Sequence, residues 1–501
     1  MMTRRCLLRH AGWVAAWAAF PRNFSRAAEA LSPIMSRLST YMGEARTRPL
    51  PDDVLEKTKE HTLDTLAAMV SGSQLTLGRR ATQFASEYGG EKIATVVGSN
   101  VACSPIEAAL VNGLLAHADE TNDVHRPSRS QPGSSAVPAA LAVGEKFGIT
   151  GTHFLRAVAL GYDIGPRVTI AMGASALAAE GHKSTFSIAG VFGAAAAGGC
   201  AASLNAQQMR WLLDYAAQQA SGIEAWHRDI EHMENSFVLA GMPARSGVTA
   251  ALLVSSGWNG VDDIFSGSDN FLLAFAPQAN PAKLAEELGE RYEVTRSDIK
   301  KWSVGMPIQA VLDALEILLR RDSVNPEAVQ RVTVRLAKSL VPPVDNSLSP
   351  DLCLQHLVAV MLKDKTVSFQ ATHDKERMRD PAILALRSRV NLISDEELEK
   401  RLPRWEATVE LVLKSGTSVT QHVENPRGTV ENPMTRDEVA AKARSLMEPV
   451  LGMVVCNRLI ERVFALEKTN DIRDLRPLIS TNTPQKLQSE LPISNSVVPT
   501  P

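Results

Sequence analysis

Between His117 and Arg129, two imidazoles, three carboxylates and two guanidiniums fall within 13 positions, directly after an apolar helical stretch. Taking such groups out of water is costly unless they pair with one another or hold a ligand. A solvated loop is the alternative. His117, Glu120 and His125 are also metal-ligand types, but three such groups in a helix-to-loop segment are a common coincidence, and no metal site is expected. A second polar run, Trp226 to His232, spaces His227 over Glu231 and Arg228 over His232 at i,i+4, which predicts a helix laced by salt links.

The elements that must position these residues are mostly helical. From about Leu31 to Leu288 the apolar period is helical and the chain is rich in Ala and Gly. Leu63, Leu66, Ala67 and Val70 form one face after Pro51-Asp52-Asp53, a helix start. The run Gly190 to Ala197 has side chains small enough for a neighbouring helix to approach closely, and it reads as the centre of a packed helical domain.

After Tyr292 the pattern changes. A helix carrying Ile308, Val311, Leu312, Leu315, Leu318 and Leu319 precedes Val332 to Leu336, which alternates at period two. Another helix places Leu354, Leu357, Val358, Met361 and Leu362 on one face. Ala407 to Leu413 alternates again, and Lys414-Ser415-Gly416-Thr417 supplies a hairpin turn before Val419. Thr435 and Glu438 then form a capping box that opens a last helical stretch to about Ala465. The expected fold is mainly α. A large all-helical domain (31–292, resuming at 435–475) receives a smaller inserted α+β domain (293–434), followed by a disordered tail (476–501).

A chain of 501 residues, 45% hydrophobic, can bury a large core, and a formal net charge of -2 provides no electrostatic reason to expect nucleic acid or an anionic membrane surface as partner. Five scattered cysteines without a CxxC pair point to buried free thiols. At the N-terminus, Arg4-Arg5 before the apolar stretch Ala11 to Phe20, with Ala28-Glu29-Ala30 as a small-x-small cleavage site, match twin-arginine export (1–30). Periplasmic location is therefore expected, with a cytoplasmic protein carrying a basic arm as the alternative. The apolar stretch is too short to span a bilayer.

The order of motifs along the chain carries a resemblance. His117-Ala118-Asp119-Glu120, Asp123-x-His125, Pro132-Gly133 and Val137 to Leu141 resemble the acidic signature of the MmgE/PrpD family, which contains 2-methylcitrate dehydratase and cis-aconitate decarboxylase. The likeness continues through Gly161-Tyr162-Asp163, Ala189 to Ala196, Gly241 to Gly247 and Glu431 to Thr435, over roughly residues 35 to 465. It implies a helical domain with a smaller lid, a homodimer, no metal or organic cofactor, and a site between the domains that transfers a proton at carbon beside a carboxylate. Glu120, His182 and Asp123 are then the acid/base candidates, His182 also standing just before a helix whose N-terminal amides suit an anion. His117, His125, Arg126, Gln131, Lys300, Lys301 and Arg245 are the candidates for holding the substrate. The match has departures: Val124 stands where the decarboxylase has a hydroxyl residue, Gln131 and Gln309 where a His is frequent, and Asn235 or Ser236 where a Lys is common. Glutamine can hydrogen-bond a carboxylate but cannot shuttle a proton.

The resulting expectation is a hydro-lyase acting on a small di- or tricarboxylate. Isomerisation or epimerisation, decarboxylation, and non-catalytic carboxylate binding in the periplasm are the alternatives.

Overall fold

The computed structural model describes residues 31–481 apart from Ile230 and Ser323, so the export segment lies outside the described residues. With 58% helix and 9% strand, the protein is mainly α. One hydrophobic core draws on residues from Met35 to Ile299 and again from Met434 to Ile479, while a second is built wholly from residues between Trp302 and Val423.

The larger core is organised around the helix Thr185–Ala201, buried along its length apart from Phe186. The helices Gly133–Phe147, Gly151–Met172 and Met242–Ser255 surround it. Their backbones approach closely where side chains are missing: a Cβ on Gly165 would lie 2.3 Å from the Ala189 carbonyl oxygen, and one on Gly247 would lie 2.4 Å from the Ala195 nitrogen. The small-residue run therefore does mark the centre of the packing. Helix Met242–Ser255 continues a longer apolar helix that starts at Met233 and contains a π-helical turn, Phe237–Gly241. Met233–Ser255 is long and apolar enough to cross a membrane by composition, yet 61% of its most apolar window is buried inside the protein, as befits a core helix.

The smaller core lies under a four-stranded sheet ordered Val390–Asp395, Val329–Ala337, Ala407–Leu413, Ser418–Val423. The first pair is parallel and the others antiparallel, and the turn between the last two strands places Gly416 at φ 85°. Val390–Asp395 is the strand that periodicity does not announce. Only Val390 is buried in it, so its identity comes from pairing with Val332 to Ala337. The Thr435–Glu438 capping box forms in both directions and opens the helix Arg436–Leu451. Residues assigned to the tail begin in ordered structure: Arg476–Ile479 is a helical turn whose Ile479 is fully buried. Cys103, Cys200, Cys353 and Cys456 are buried free thiols.

Gly165→Val forces a branched side chain into the Ala189 backbone. A loss of about 3 kcal/mol or more is expected, read as a lower urea midpoint with an unchanged slope. A midpoint equal to that of the parent would show that these helices do not depend on backbone contact.

Candidate active site

Helix Pro105–Ala116 starts from Ser104, whose hydroxyl accepts the Glu107 amide, and it ends at His117. Gly113 and Gly241 let this helix lie against the π turn, since a Cβ on Gly113 would come within 2.8 Å of the Ala240 oxygen. The end of one helix is thereby set against the start of the other. The His117 and His232 rings stand 5.1 Å apart between centroids. π turns recur at functional sites because they redirect side chains within a helix.

Lys300 arrives from a different direction. Val124 and Asp298 exchange backbone hydrogen bonds of 3.0 and 2.7 Å, and the Ile299 amide donates to the Gly428 carbonyl. Gly428 has φ 98°, and a Cβ there would lie 1.9 Å from the Ile299 oxygen, so only glycine fits. Asp298 Oδ1 also accepts from Arg126 Nη2 at 3.2 Å and from the Val430 amide at 2.8 Å, which fastens the strand-like segment before Lys300 to the acidic turn.

Glu120 sits at the focus of these constraints. Its Oε2 accepts from Lys300 Nζ at 2.9 Å and its Oε1 faces His232 Nε2 at 3.2 Å. Although burial opposes ionisation, the Lys300 charge and the His232 contact hold its carboxyl well below the usual carboxylate range. His232 is correspondingly an imidazolium. The Ser236 hydroxyl proton is directed at the His117 and His232 carbonyls, so Ser236 Oγ can only accept from His232 Nδ1 at 3.2 Å. With Glu120 facing the other nitrogen, both carry protons. Burial lowers the His232 pKa, but Glu120 outweighs it and the value rises to about 9.

His117 is the opposite case. Burial and the His232 charge lower its pKa to about 4, which leaves a neutral ring. Its Nε2 is 3.0 Å from Asn235 Oδ1 and its Nδ1 is 3.2 Å from Asn122 Oδ1. Asn122 Nδ2 is buried without a partner, and turning that amide over lets it donate to Nδ1. Glu120 and His232 keep side-chain exposures of 15% and 12%, whereas Lys300 is fully enclosed, so the carboxylate–imidazolium pair is the face a ligand can reach.

A deeper layer supports this pair. Lys442 Nζ reaches Asp64 Oδ1 at 2.6 Å and the Thr121 carbonyl at 3.0 Å. Asp123 accepts the Gly133 amide, and its Oδ2 is 3.6 Å from Nδ1 of buried His61. Burial, aided by the Asp64 charge, pushes the Asp123 pKa up to about 7, and burial lowers that of His61 to about 3.

The remaining sequence candidates take varied places. His182 is exposed at φ 51°, and among the described residues no hydrogen bond or ion pair joins it to the Glu120 group. Arg126 is committed to Asp298 and Glu431, and His125 is enclosed between Ser128 and Glu293. Gln131 is buried with its Oε1 unpartnered. Arg245 pairs at the surface with Glu107. Lys301 pairs with Glu316 and lines a cleft of about 940 Å³ between the two cores, together with Trp302, His373 and Lys442. Among the described residues of Trp226–His232 the expected helix does not form. The chain forms a 3-10 turn, Glu224–Arg228, in which His227 pairs with Glu224 at i,i+3, and His232 is turned at φ 61° toward Glu120. His232 was legible only as a helix-surface residue, because its partner lies 112 positions away.

His117, Glu120 and His232 offer ligand atoms within 4.8 Å of one another. A cation there would meet Lys300 2.9 Å from Glu120 and the charged His232 ring, so the arrangement suits an anion-directed acid better than a metal.

The Asp123 carboxyl titrates near 7 instead of its ordinary 3.8, so in the folded protein its ionisation costs stability. That cost accrues as pH rises between the two values and is constant above about 7. Asn cannot ionise. The stability of Asp123→Asn relative to the parent is expected to grow through this window by up to about 1.4 kcal/mol per pH unit and then level off, measured by urea unfolding across a pH series. A pH-independent difference would place the ionisation elsewhere.

Comparison with known proteins fits this layout. The MmgE/PrpD N-terminal domain matches residues 36–283 and the MmgE/PrpD C-terminal domain matches residues 302–467. A cis-aconitate decarboxylase-like protein, oryM, of Aspergillus oryzae is 26% identical over 89% of this chain and 97% of its own length. Cis-aconitate decarboxylases of Aspergillus terreus and Homo sapiens are 24% and 23% identical, over 90% and 93% of this chain and 96% and 99% of theirs.

Proposed function

This chain belongs to the MmgE/PrpD family, and we propose on that footing that it is a lyase acting on a small di- or tricarboxylate by proton transfer at carbon beside a carboxylate. The observation that carries the reading is the imidazolium of His232, locked against Glu120 and partly open to solvent. Both N–H groups of this ring are engaged, by Glu120 and by Ser236, so it acts as a proton donor when a substrate displaces one of these contacts. Glu120 holds the ring and stabilises its charge, much as a carboxylate orients the histidine of a hydrolase triad. Once His232 has given up its proton, the same ring can serve as the base in the reverse step. Lys300 keeps Glu120 ionised, so that the imidazole and not the carboxylate titrates.

In this reading the smaller core is a lid inserted into the helical domain, and the cleft lined by Lys301, Trp302, His373 and Lys442 admits the substrate. Dehydration is favoured, because Val124 presents no hydroxyl and Gln131 no titratable ring to a departing carboxylate. Decarboxylation is the second reading, supported by the names of the relatives.

Incubating the protein with 2-methylcitrate, citrate or cis-aconitate in deuterated water separates the outcomes. Alkene formation is expected. Loss of carbon dioxide would move the assignment to decarboxylation, deuterium at carbon without net change to isomerisation, and binding without exchange to a carboxylate-binding protein. No binding at millimolar concentration would overturn the substrate class. If His232 is the acid, activity requires its protonated form and falls as pH rises through about 9. His232→Gln is then expected to lower kcat about 100-fold or more and to erase that alkaline limb. An unchanged limb would remove His232 from the proton transfer.

Export by the twin-arginine route is a further part of the proposal, supported by Arg4-Arg5 and the apolar stretch after it. Cells carrying Arg4→Lys with Arg5→Lys are expected to lose periplasmic protein on fractionation. Undiminished periplasmic recovery would eliminate this route.

A further inference from the structure

We propose that His373 is a positioning residue whose imidazolium clasps the segment Phe369–His373 of the smaller domain onto the acidic turn that carries Glu120. The inference rests on reading the cleft as the substrate's site. His373 Nδ1 lies 2.7 Å from the Phe369 carbonyl oxygen, which can only accept, so this nitrogen carries a proton. Thr372 Oγ1 donates to the same carbonyl and turns a lone pair toward Nδ1 at 3.0 Å, in agreement with that assignment. The other nitrogen, Nε2, faces Asp119 Oδ2 at 3.2 Å. The contact is an ion-pair approach without hydrogen-bond alignment, and a neutral ring would set an unprotonated nitrogen 3.2 Å from a carboxylate oxygen. The arrangement is attractive only if both nitrogens are protonated.

Asp119 is itself held in place. It accepts from the Thr121 amide at 3.0 Å and from the Thr121 hydroxyl at 2.7 Å, and it immediately precedes Glu120. The carboxylate of Asp351, buried in a loop of the smaller domain, also favours the protonated forms of His373 and His232. Burial opposes the charge on His373, but Asp119 and Asp351 outweigh it and raise its affinity for the proton. Phe369 packs against the His373 ring, tilted by 38° with centroids 4.3 Å apart, and against the larger core. One short segment of the smaller domain is therefore docked across the seam by an apolar contact and by a proton-dependent ion pair. The ion pair fixes the turn from which Glu120 reaches His232, and His373 itself lines the cleft.

Two substitutions separate charge from shape. His373→Gln removes the cation, whereas His373→Arg keeps it. The Gln variant is expected to lower kcat/KM by about 10- to 100-fold, the scale on which misplacement of a reacting group reduces rate, and the Arg variant to stay within a few-fold of the parent. Hydrogen exchange of the peptide covering residues 366–374 provides a readout without substrate: protection falls in the Gln variant and is kept in the Arg variant. In the unsubstituted protein the same peptide loses protection as pH is raised, beyond the intrinsic rise in exchange rate. This last measurement also serves if the Gln variant does not fold. Equal protection in the parent and Gln variant, an Arg variant that behaves like Gln, or pH-independent protection in the parent would each overturn the clasp. If protection responds as stated but no carboxylate is turned over, the clasp stands and the assignment of the cleft falls.

Discussion

A carboxylate with little access to water has to be compensated, and the compensation of Glu120 by Lys300 and His232 is the constraint on which the rest of the site depends. The two cations come from separate segments of the chain, one at the start of the π-containing helix and one after the Val124–Asp298 bridge, and neither can be displaced without stranding a charge. The Val124–Asp298 bridge and the Gly428 contact set the register of Lys300. The glycine contact between helix Pro105–Ala116 and the π turn sets the position of His232. The placement of three side chains is thus set by backbone geometry at sites where a side chain would clash.

The same requirement explains why the basic groups around the acidic turn are already engaged. Arg126 is neutralised by Asp298 and Glu431, His125 sits against Glu293, and Lys442 lies on Asp64. These pairs are buried or half-buried, where breaking one leaves an uncompensated charge at a cost of about 3–5 kcal/mol. They act as struts that hold the turn. His373 and Lys301, which line the cleft, each already face a carboxylate.

Opposite protonation of two neighbouring histidines follows from placement and not from residue type. His117 is enclosed among amides and lies beside a positive ring, which favours its neutral form. His232, 5.1 Å away, faces a carboxylate and is held charged. Environments that push two like groups apart in pKa are a recurring arrangement in acid–base sites.

The sequence by itself determined the helical domain, the change of pattern after Tyr292, the capping box at Thr435 and the acidic segment around Glu120. These are local properties, since apolar period, small-residue runs and cap residues act over a few positions. Gly190 to Ala197 announced a close-packed helix because small side chains permit only that packing. Strand Val390–Asp395, the non-helical path of Trp226–His232 and the partnership of His232 with Glu120 were decided only in the tertiary structure. Each depends on a neighbour far away along the chain: Val332 for the strand, and residues before position 121 for His232. A charge is stabilised by whatever the fold brings within about 4 Å, and sequence spacing does not report that distance.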